Sequence, residues 1–328
     1  MKTKILITDG LAKEGVELLK THPDFDLDLR SSISSTELES IIEKYDALVV
    51  RTMTKVPASV LAKASRLKVI VAAGAGYDHI DVATARSRKI TVLNCPTANS
   101  LSAAEQTLGL MFALARSIPQ SFISIRAGNW ERGPAFTGTE LHGKILGIIG
   151  LGNIGKIVAE KAMALGMLVV AYDPEVPSLS MLPSKFKYLE MRFKLARSQD
   201  EVLAEADWVT IHIPKEDRNV GLFGDATLAK MRKGSFLVNA SRGGIVDERA
   251  LLSALREGHL AGAATDVFEA EPPRFEDSTV QGLLAHPRFV ATAHLGGATI
   301  EAKERVASQT AQHLLAFFNS KANEGALH

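Results

Sequence analysis

Short apolar runs and helix-spaced apolar patterns take turns along this chain, and their order predicts its architecture. Runs at residues 4–8, 47–50, 67–72 and 90–93 have strand length, while residues 11–20, 36–44, 58–64 and 81–88 carry apolar positions at helical spacing. Ser34-Ser35-Thr36-Glu37 has the form of a capping box for the second of these helices. Beyond residue 140 the alternation resumes. Strands are predicted over the run ending at Gly150 and at 168–171, 207–211, 235–239, 261–266 and 289–292, with helices at 154–165, from Ser198 onward, at 248–256 and at 300–318. Strands separated by helices imply parallel sheets covered on both faces, so the expected fold is α/β with two doubly wound parallel-sheet domains.

Two stretches break the rhythm. Asn94-Cys95-Pro96 holds the chain extended, and a long helical pattern follows over 101–126, in which Pro119 bends or restarts the helix. Its apolar residues, among them Leu108, Met111, Phe112 and Leu114, spread around most of the helix and predict burial on more than one side. Residues 175–194, with Pro177, Pro183 and several charges, read as a surface insertion carrying a short helix.

The chemistry begins at Gly150-Leu151-Gly152-Asn153-Ile154-Gly155, between a strand and a helix. Gly150 permits a tight turn, Gly152 lets backbone approach a pyrophosphate, and Gly155 lets the helix pack on the strand. The N–H groups and partial positive charge at the helix start, near Asn153 and Ile154, suit the phosphates. Asp173 closes the second strand at the spacing expected of a ribose-binding acid, and its charge repels a 2′-phosphate. The expected cofactor is NAD.

Composition narrows the class. The 328 residues allow about two domains of ordinary size. A formal charge of +1 gives no pull toward nucleic acid or acidic membranes, and the single cysteine, Cys95, cannot form an internal disulfide. No apolar run approaches the roughly 18 residues of a membrane span, and an acidic residue at position 9 argues against a signal peptide. A cytoplasmic protein is expected, with no metal in its site.

In open parallel sheets ligands sit beyond the carboxyl ends of strands, so polar residues just after strands matter most. Four places qualify: Asn239-Ala240-Ser241-Arg242-Gly243-Gly244, Asp266, Glu269-Ala270-Glu271-Pro272, and His294-Leu295-Gly296-Gly297. An arginine fork can hold a substrate carboxylate and polarise the adjacent carbonyl. A histidine can exchange the hydroxyl proton during hydride transfer, and a carboxylate can orient it and raise its pKa. Each also has a plainer reading: Arg242 as a surface ion-pair residue, Glu271 as the end of a strand, His212, His286 and His294 as loop or structural histidines. The residues by themselves lead to an NAD-dependent oxidoreductase acting on a hydroxy acid.

These motifs, in this order, resemble those of the D-isomer-specific 2-hydroxyacid dehydrogenases over nearly the whole chain. Gly150–Gly155 with Asp173 resembles the family's NAD fingerprint, 239–247 its arginine motif, 266–272 its glutamate motif and 294–297 its histidine motif. The resemblance implies catalysis by Arg242, Glu271 and His294. It implies cofactor contacts from Gly150, Gly152, Asn153, Ile154, Gly155, Asp173, His212, Ile213, Pro214, Ala240, Ser241, Arg242, Asp266, His294, Gly296 and Gly297, with Asp266 on the nicotinamide carboxamide. Residues 1–98 and 299–328 are implied to form a flavodoxin-like substrate domain, interrupted by a Rossmann NAD domain at 99–298. Catalysis is implied in the cleft between them, and homodimers are implied around the helix at 101–115.

Residues 99–105 and 129–132 resemble the phosphoglycerate-oxidising branch of the family, the first step of serine synthesis. On that likeness Arg51, Arg132 and Arg242 hold phosphate or carboxylate, with Asn99 and the amides of Ala75 and Gly76. Three features depart from it: Ala72 where that branch often has arginine, the charged Lys215-Glu216-Asp217, and the long 177–194 stretch. The alternatives are a glyoxylate or hydroxypyruvate reductase, another D-2-hydroxyacid dehydrogenase, or, more remotely, an NAD-sensing transcriptional co-regulator. An end at His328 implies no regulatory domain and no serine feedback.

Overall fold

A computed structural model describes residues 2–183, 186 and 192–319 of the chain. These fall into two compact units: residues up to Ser102 together with those from Gly297 onward, and Ala103–Gly296.

The first unit holds a parallel sheet of β1 (Thr3–Ile7), β2 (Phe25–Leu29), β3 (Ala47–Val50), β4 (Val69–Ala72) and β5 (Thr91–Asn94), in the order β2-β1-β3-β4-β5. This is the flavodoxin order. Both faces are covered, as a parallel sheet requires. Along β1, Leu6 joins one apolar cluster while Ile5 and Ile7 join another on the opposite face. Each such fully buried side chain stabilises the fold by about 1.5–3 kcal/mol. The covering helices are α1 (Lys13–Lys20), α2 (Ser35–Ile41), α3 (Ala58–Lys63), α4 (Val82–Ser87) and the chain's last, α12 (Ile300–Asn319). Gly15 lets α1 and α12 touch backbone to backbone, since a Cβ there would stand 2.5 Å from the Ala307 carbonyl oxygen. Ser34 caps α2 by accepting from the Glu37 N–H at 3.1 Å, the first half of the predicted capping box.

The second unit holds β6 (Ile145–Ile149), β7 (Leu168–Tyr172), β8 (Phe193–Leu195), β9 (Trp208–Ile211), β10 (Ser235–Asn239), β11 (Leu260–Thr265) and β12 (Phe289–Ala291). Their order, β12-β11-β10-β9-β6-β7-β8, is that of a dinucleotide-binding sheet with one strand added, and it reverses direction between β6 and β9. Between and around these strands run the helices α5 (Ser100–Ala115), α6 (Ile118–Arg126), α7 (Asn153–Ala164), α8 (Gln199–Glu205), α9 (Asp225–Leu228), α10 (Glu248–Arg256) and α11 (Ser278–Ala285).

Several expectations need correction. The helical stretch over 101–126 is bent and restarted as expected, as two helices at 61°, but the break lies before Pro119, at Ser117. Ser117 takes the left-handed φ of +50°, and Arg288 donates to its hydroxyl at 2.9 Å. Pro119 sits in the first turn of α6, where its missing N–H costs nothing. Unlike α5, α6 buries none of its residues: Phe122, Ile123 and Ile125 are each more than half exposed. The 175–194 stretch is not simply a surface insertion, for Val176, Leu182, Phe186 and Phe193 are buried in the core of the second unit. Among the described residues of this stretch, Leu179–Met181 form a 3₁₀ turn; residues 184, 185 and 187–191, on which the rest of the expected short helix falls, lie outside the described residues. Among the described residues no single helix is long and apolar enough to cross a membrane.

Candidate active site

The glycine loop sits where the second sheet reverses. Gly150 follows β6 with φ +99°, and a Cβ on it would stand 2.4 Å from the carbonyl oxygen of His212, the residue after β9. A Cβ on Gly155 would stand 2.0 Å from the Gly150 carbonyl oxygen, so α7 can begin this close to the strand only with glycine. Around Gly152 nothing lies within 4 Å of a Cβ position, and no side chain caps the N–H groups that open α7. A close-packed turn, an open approach and uncapped N–H donors together fit a pyrophosphate. Asp173, just after β7, accepts from the Leu151 N–H at 2.7 Å and from the Glu175 N–H at 2.9 Å. Those two bonds aim the carboxylate over the loop and leave lone pairs for ribose hydroxyls.

His212, Ile213 and Pro214 form the other lip. Burial pushes the His212 imidazole down to about 3, so the ring is neutral near pH 7, with Nε2 3.1 Å from the Thr210 hydroxyl. The charged segment after Pro214 turns outward. Arg218 pairs with Glu216 at 2.7 Å, both well exposed, while Lys215 lies over Gly244.

Three post-strand loops build the polar centre. After β10, the Asn239 side chain accepts from the Ser241 N–H and hydroxyl and donates to the Arg242 carbonyl at 3.0 Å, holding a tight turn around Ala240. A Cβ on Gly243 would stand 1.6 Å from the Phe268 carbonyl oxygen, so this turn and the loop after β11 share one surface. On that second loop, Glu271 accepts from the Phe268 N–H at 3.3 Å and precedes a cis peptide bond to Pro272. Its other oxygen lies 2.7 Å from Nδ1 of His294, on the loop after β12. The structure thus brings Glu271 and His294 into direct contact.

The electrostatics of the pair agree on both sides. The hydrogen bond that His294 donates to Glu271, opposed by partial burial and reinforced by the charges of Glu271 and Asp266, raises the His294 pKa above its ordinary value. Burial alone would raise Glu271, but the bond and charge of His294, the Phe268 N–H and the positive Arg242 together lower it. An ionised Glu271 can only accept, so Nδ1 carries a proton and Nε2 is the nitrogen left to exchange one. Arg242 itself donates to the Ser241 carbonyl at 2.8 Å.

His294 has a left-handed backbone, φ +54°, which costs a non-glycine residue of order 1–3 kcal/mol. Asp266 holds it there. Its backbone carbonyl accepts from the His294 N–H at 2.8 Å, and its carboxylate accepts from the N–H groups of Leu295 at 2.8 Å and Gly296 at 2.7 Å. In this structure Asp266 is therefore the anchor of the histidine loop, a role that residue type and position after a strand do not reveal.

The remaining predicted residues are placed within their own units. In the first unit Arg51, Ala75 and Gly76 lie beyond the ends of the paired strands β3 and β4, and Asn99 follows β5. Asp9 receives the Arg51 N–H at 3.0 Å, and Asn94 donates to the Ala75 carbonyl at 2.7 Å. Asn99 lies against Gly297, its amide nitrogen 2.9 Å from a Cβ position there. Arg132 lies in an exposed segment after α6, and no hydrogen bond or ion pair among the described residues ties it to Glu271 or His294. No group of three or more histidine, cysteine or carboxylate side chains among the described residues is placed to hold a metal.

Comparisons with known proteins agree with this architecture. Residues 108–296 match the model of the NAD binding domain of the D-isomer specific 2-hydroxyacid dehydrogenases. The chain is 40% identical over 314 residues to a D-3-phosphoglycerate dehydrogenase of Bacillus subtilis, covering 96% of this chain and 57% of that protein. It therefore spans little more than half the length of that relative. It is 39% identical over 303 residues to a hydroxypyruvate reductase of Thermotoga maritima, covering 92% of this chain and 94% of that protein. A crystal structure of a Thermus thermophilus protein superposes with a TM-score of 0.88 at 31% identity, covering 99% of this chain and all of that one. The chain belongs to the D-isomer-specific 2-hydroxyacid dehydrogenase family.

Proposed function

We propose that the protein is an NAD-dependent D-2-hydroxyacid dehydrogenase whose preferred pair is D-3-phosphoglycerate and 3-phosphohydroxypyruvate. The contact between Glu271 and His294 at 2.7 Å, with the Arg242 turn packed against the Glu271 loop at Gly243, carries the reading of the chemistry. NAD, when bound, supplies the acceptor for the hydride. Arg242 holds the substrate carboxylate with its planar fork and draws electron density from the neighbouring carbon–oxygen bond. His294 takes the hydroxyl proton at Nε2 during oxidation and returns it during reduction. Glu271 keeps the ring in one tautomer and favours its protonated form, as Asp266 fixes the loop beneath it.

Arg51 and Arg132, with Asn99 and the amides of Ala75 and Gly76, are the groups we assign to the substrate's phosphate and carboxylate. A second reading, hydroxypyruvate or glyoxylate reduction, is favoured by one observation: Ala72 ends β4 fully buried, where an arginine would add a phosphate partner. The apolar, exposed face of α6 favours a second copy of the chain as its cover, and a sedimentation mass of one chain would count against that homodimer.

One assay separates the substrates and tests the cofactor. NADH and NADPH oxidation is followed with 3-phosphohydroxypyruvate, hydroxypyruvate and glyoxylate, for the native protein and Asp173→Ala. Higher kcat/KM for the phosphorylated acid supports a phosphate site; equal or better use of the other two replaces it with the reductase reading. NADH should be preferred by the native protein, and Asp173→Ala should narrow that preference by at least about tenfold, the effect of roughly 1.4 kcal/mol of lost hydrogen bonding and charge. An unchanged ratio would show that Asp173 does not select the cofactor.

A further inference from the structure

We propose that Gln106 and Thr292 are positioning residues for the reaction, a two-step hydrogen-bond relay by which helix α5 fixes the loop carrying His294. The proposal rests on the reading of His294 as the group that exchanges the substrate proton. Three observations support it.

First, the relay is continuous and its polarity is determined. Asp266 is 1% exposed and, when ionised, only accepts. The Thr292 hydroxyl donates its single proton to Asp266 Oδ1 and must therefore accept from its other side. There it receives Nε2 of Gln106 at 3.0 Å.

Second, the far end of the relay is the histidine loop. The oxygen of Asp266 that accepts from Thr292 also accepts from Leu295, and the other accepts from Gly296, the two residues that follow His294. The Asp266 carbonyl holds the His294 N–H itself. Turning the carboxylate would release both loop N–H groups at once. Asp266 packs closely on this loop, since a Cβ on Gly296 would come within 3.1 Å of its Oδ2.

Third, the near end is rigid. Gln106 is flanked on α5 by Ala104, Leu108, Leu110 and Met111, all buried in the core of the second unit. Thr292 follows β12 directly, and its N–H donates to the Thr265 carbonyl at 3.0 Å. The hydroxyl is thus held between a core helix and the sheet, while the left-handed His294 lies two residues beyond it. Removing the hydroxyl costs Asp266 one of three donors and leaves the Gln106 amide without an acceptor, while the shape of the side chain is retained in valine.

The test compares Thr292→Val, Thr292→Ser, Gln106→Leu and the double variant Gln106→Leu/Thr292→Val with the native protein, using NADH and the best 2-oxo acid. Thr292→Val should lower kcat roughly ten- to hundredfold, the scale of a small misplacement at a reacting centre. KM for NADH should change less than kcat, because the glycine loop that cradles the pyrophosphate is untouched. The pH at which reduction falls off should move downward, as His294 is held less firmly to Glu271. Thr292→Ser should restore both rate and pH profile. Gln106→Leu should give a smaller loss of the same kind, and the double variant should be no worse than Thr292→Val, as for members of one chain. Native kcat and pH profile in Thr292→Val, or equal damage in Thr292→Ser, would overturn the relay. Should Thr292→Val not fold, the kcat and pH profile of Gln106→Leu decide the question alone. Full turnover in His294→Ala would instead overturn the underlying reading of His294.

Discussion

Replacing His294 by alanine should lower kcat for reduction of a 2-oxo acid by roughly 10²–10⁴-fold, the usual contribution of a positioned acid or base. Native NADH binding should survive, because the cradle at Gly150–Gly155 and Asp173 is built from β6, α7 and β7 and shares no hydrogen bond with the imidazole. Loss of rate with retained cofactor binding is the signature of a group acting only in the transition state. His294 also carries the strain of a left-handed backbone, and alanine in the same conformation would keep that strain. A loss of rate would therefore report the missing ring and not a relaxed loop. Activity within about twofold of native would remove His294 from the chemistry.

The second large effect is expected at Arg242. Arg242→Gln should cost roughly 10²–10³ in kcat/KM, comparable with deleting a donor to a developing negative charge. Arg242→Lys should recover little of it, since an ammonium cannot reproduce the planar fork that meets a carboxylate with two parallel bonds. Steady-state kinetics of both variants with the same 2-oxo acid check this. Arg242 also adds to the lowering of the Glu271 pKa and opposes protonation of His294, so Arg242→Gln should slightly raise the pH at which reduction falls off. Native kcat/KM in Arg242→Gln would leave the substrate carboxylate without its assigned partner.

Much of this organisation is legible in the sequence because several local rules agree there. Residues 144–173 place a buried strand, three glycines, a helix and an acid in the one order that a dinucleotide cradle requires, and the structure supplies the reasons in the clashes a Cβ would cause at Gly150 and Gly155. Strands buried on both faces, such as β3, β4 and β10, stand out as continuous apolar runs. The edge strands are harder. Phe25–Leu29 alternates apolar and acidic residues, pairs on one side only with β1, and passes as a loop. β8, the opposite edge of the second sheet, has three residues and too little pattern to read.

At the site, residue type and position after a strand bring forward Arg242, Asp266, Glu271 and His294 as candidates, each with a plainer reading beside it. What they cannot show is how the loops are tied together. Asp266 reads as a ligand-binding acid, yet its carboxylate is engaged by Thr292, Leu295 and Gly296. Asn239, which shapes the arginine turn, reads as the last residue of a strand. Gln106 lies 160 residues from Asp266 along the chain, and nothing local to α5 connects the two. Thr292 is the exception that could have been found: a polar residue immediately after a strand and two before the histidine.

The pairing of Glu271 with His294 is the central claim, and its sign with pH is fixed by the directions of the two shifts. The raised His294 pKa means that the protonated ring, and the stability of the pair, persist below the ordinary histidine value and are lost only as pH rises through the higher folded value. Lowered Glu271 contributes above its ordinary value and is lost as pH falls through the depressed one. Reduction needs the protonated ring, so the measurement is the pH dependence of kcat/KM for NADH-driven reduction in the native protein and in Glu271→Gln. The native curve should fall at a pH above the ordinary histidine value, and Glu271→Gln should fall at a distinctly lower pH with reduced maximum rate. Coincident curves, or no turnover of any 2-oxo acid by the native protein, would contradict the account.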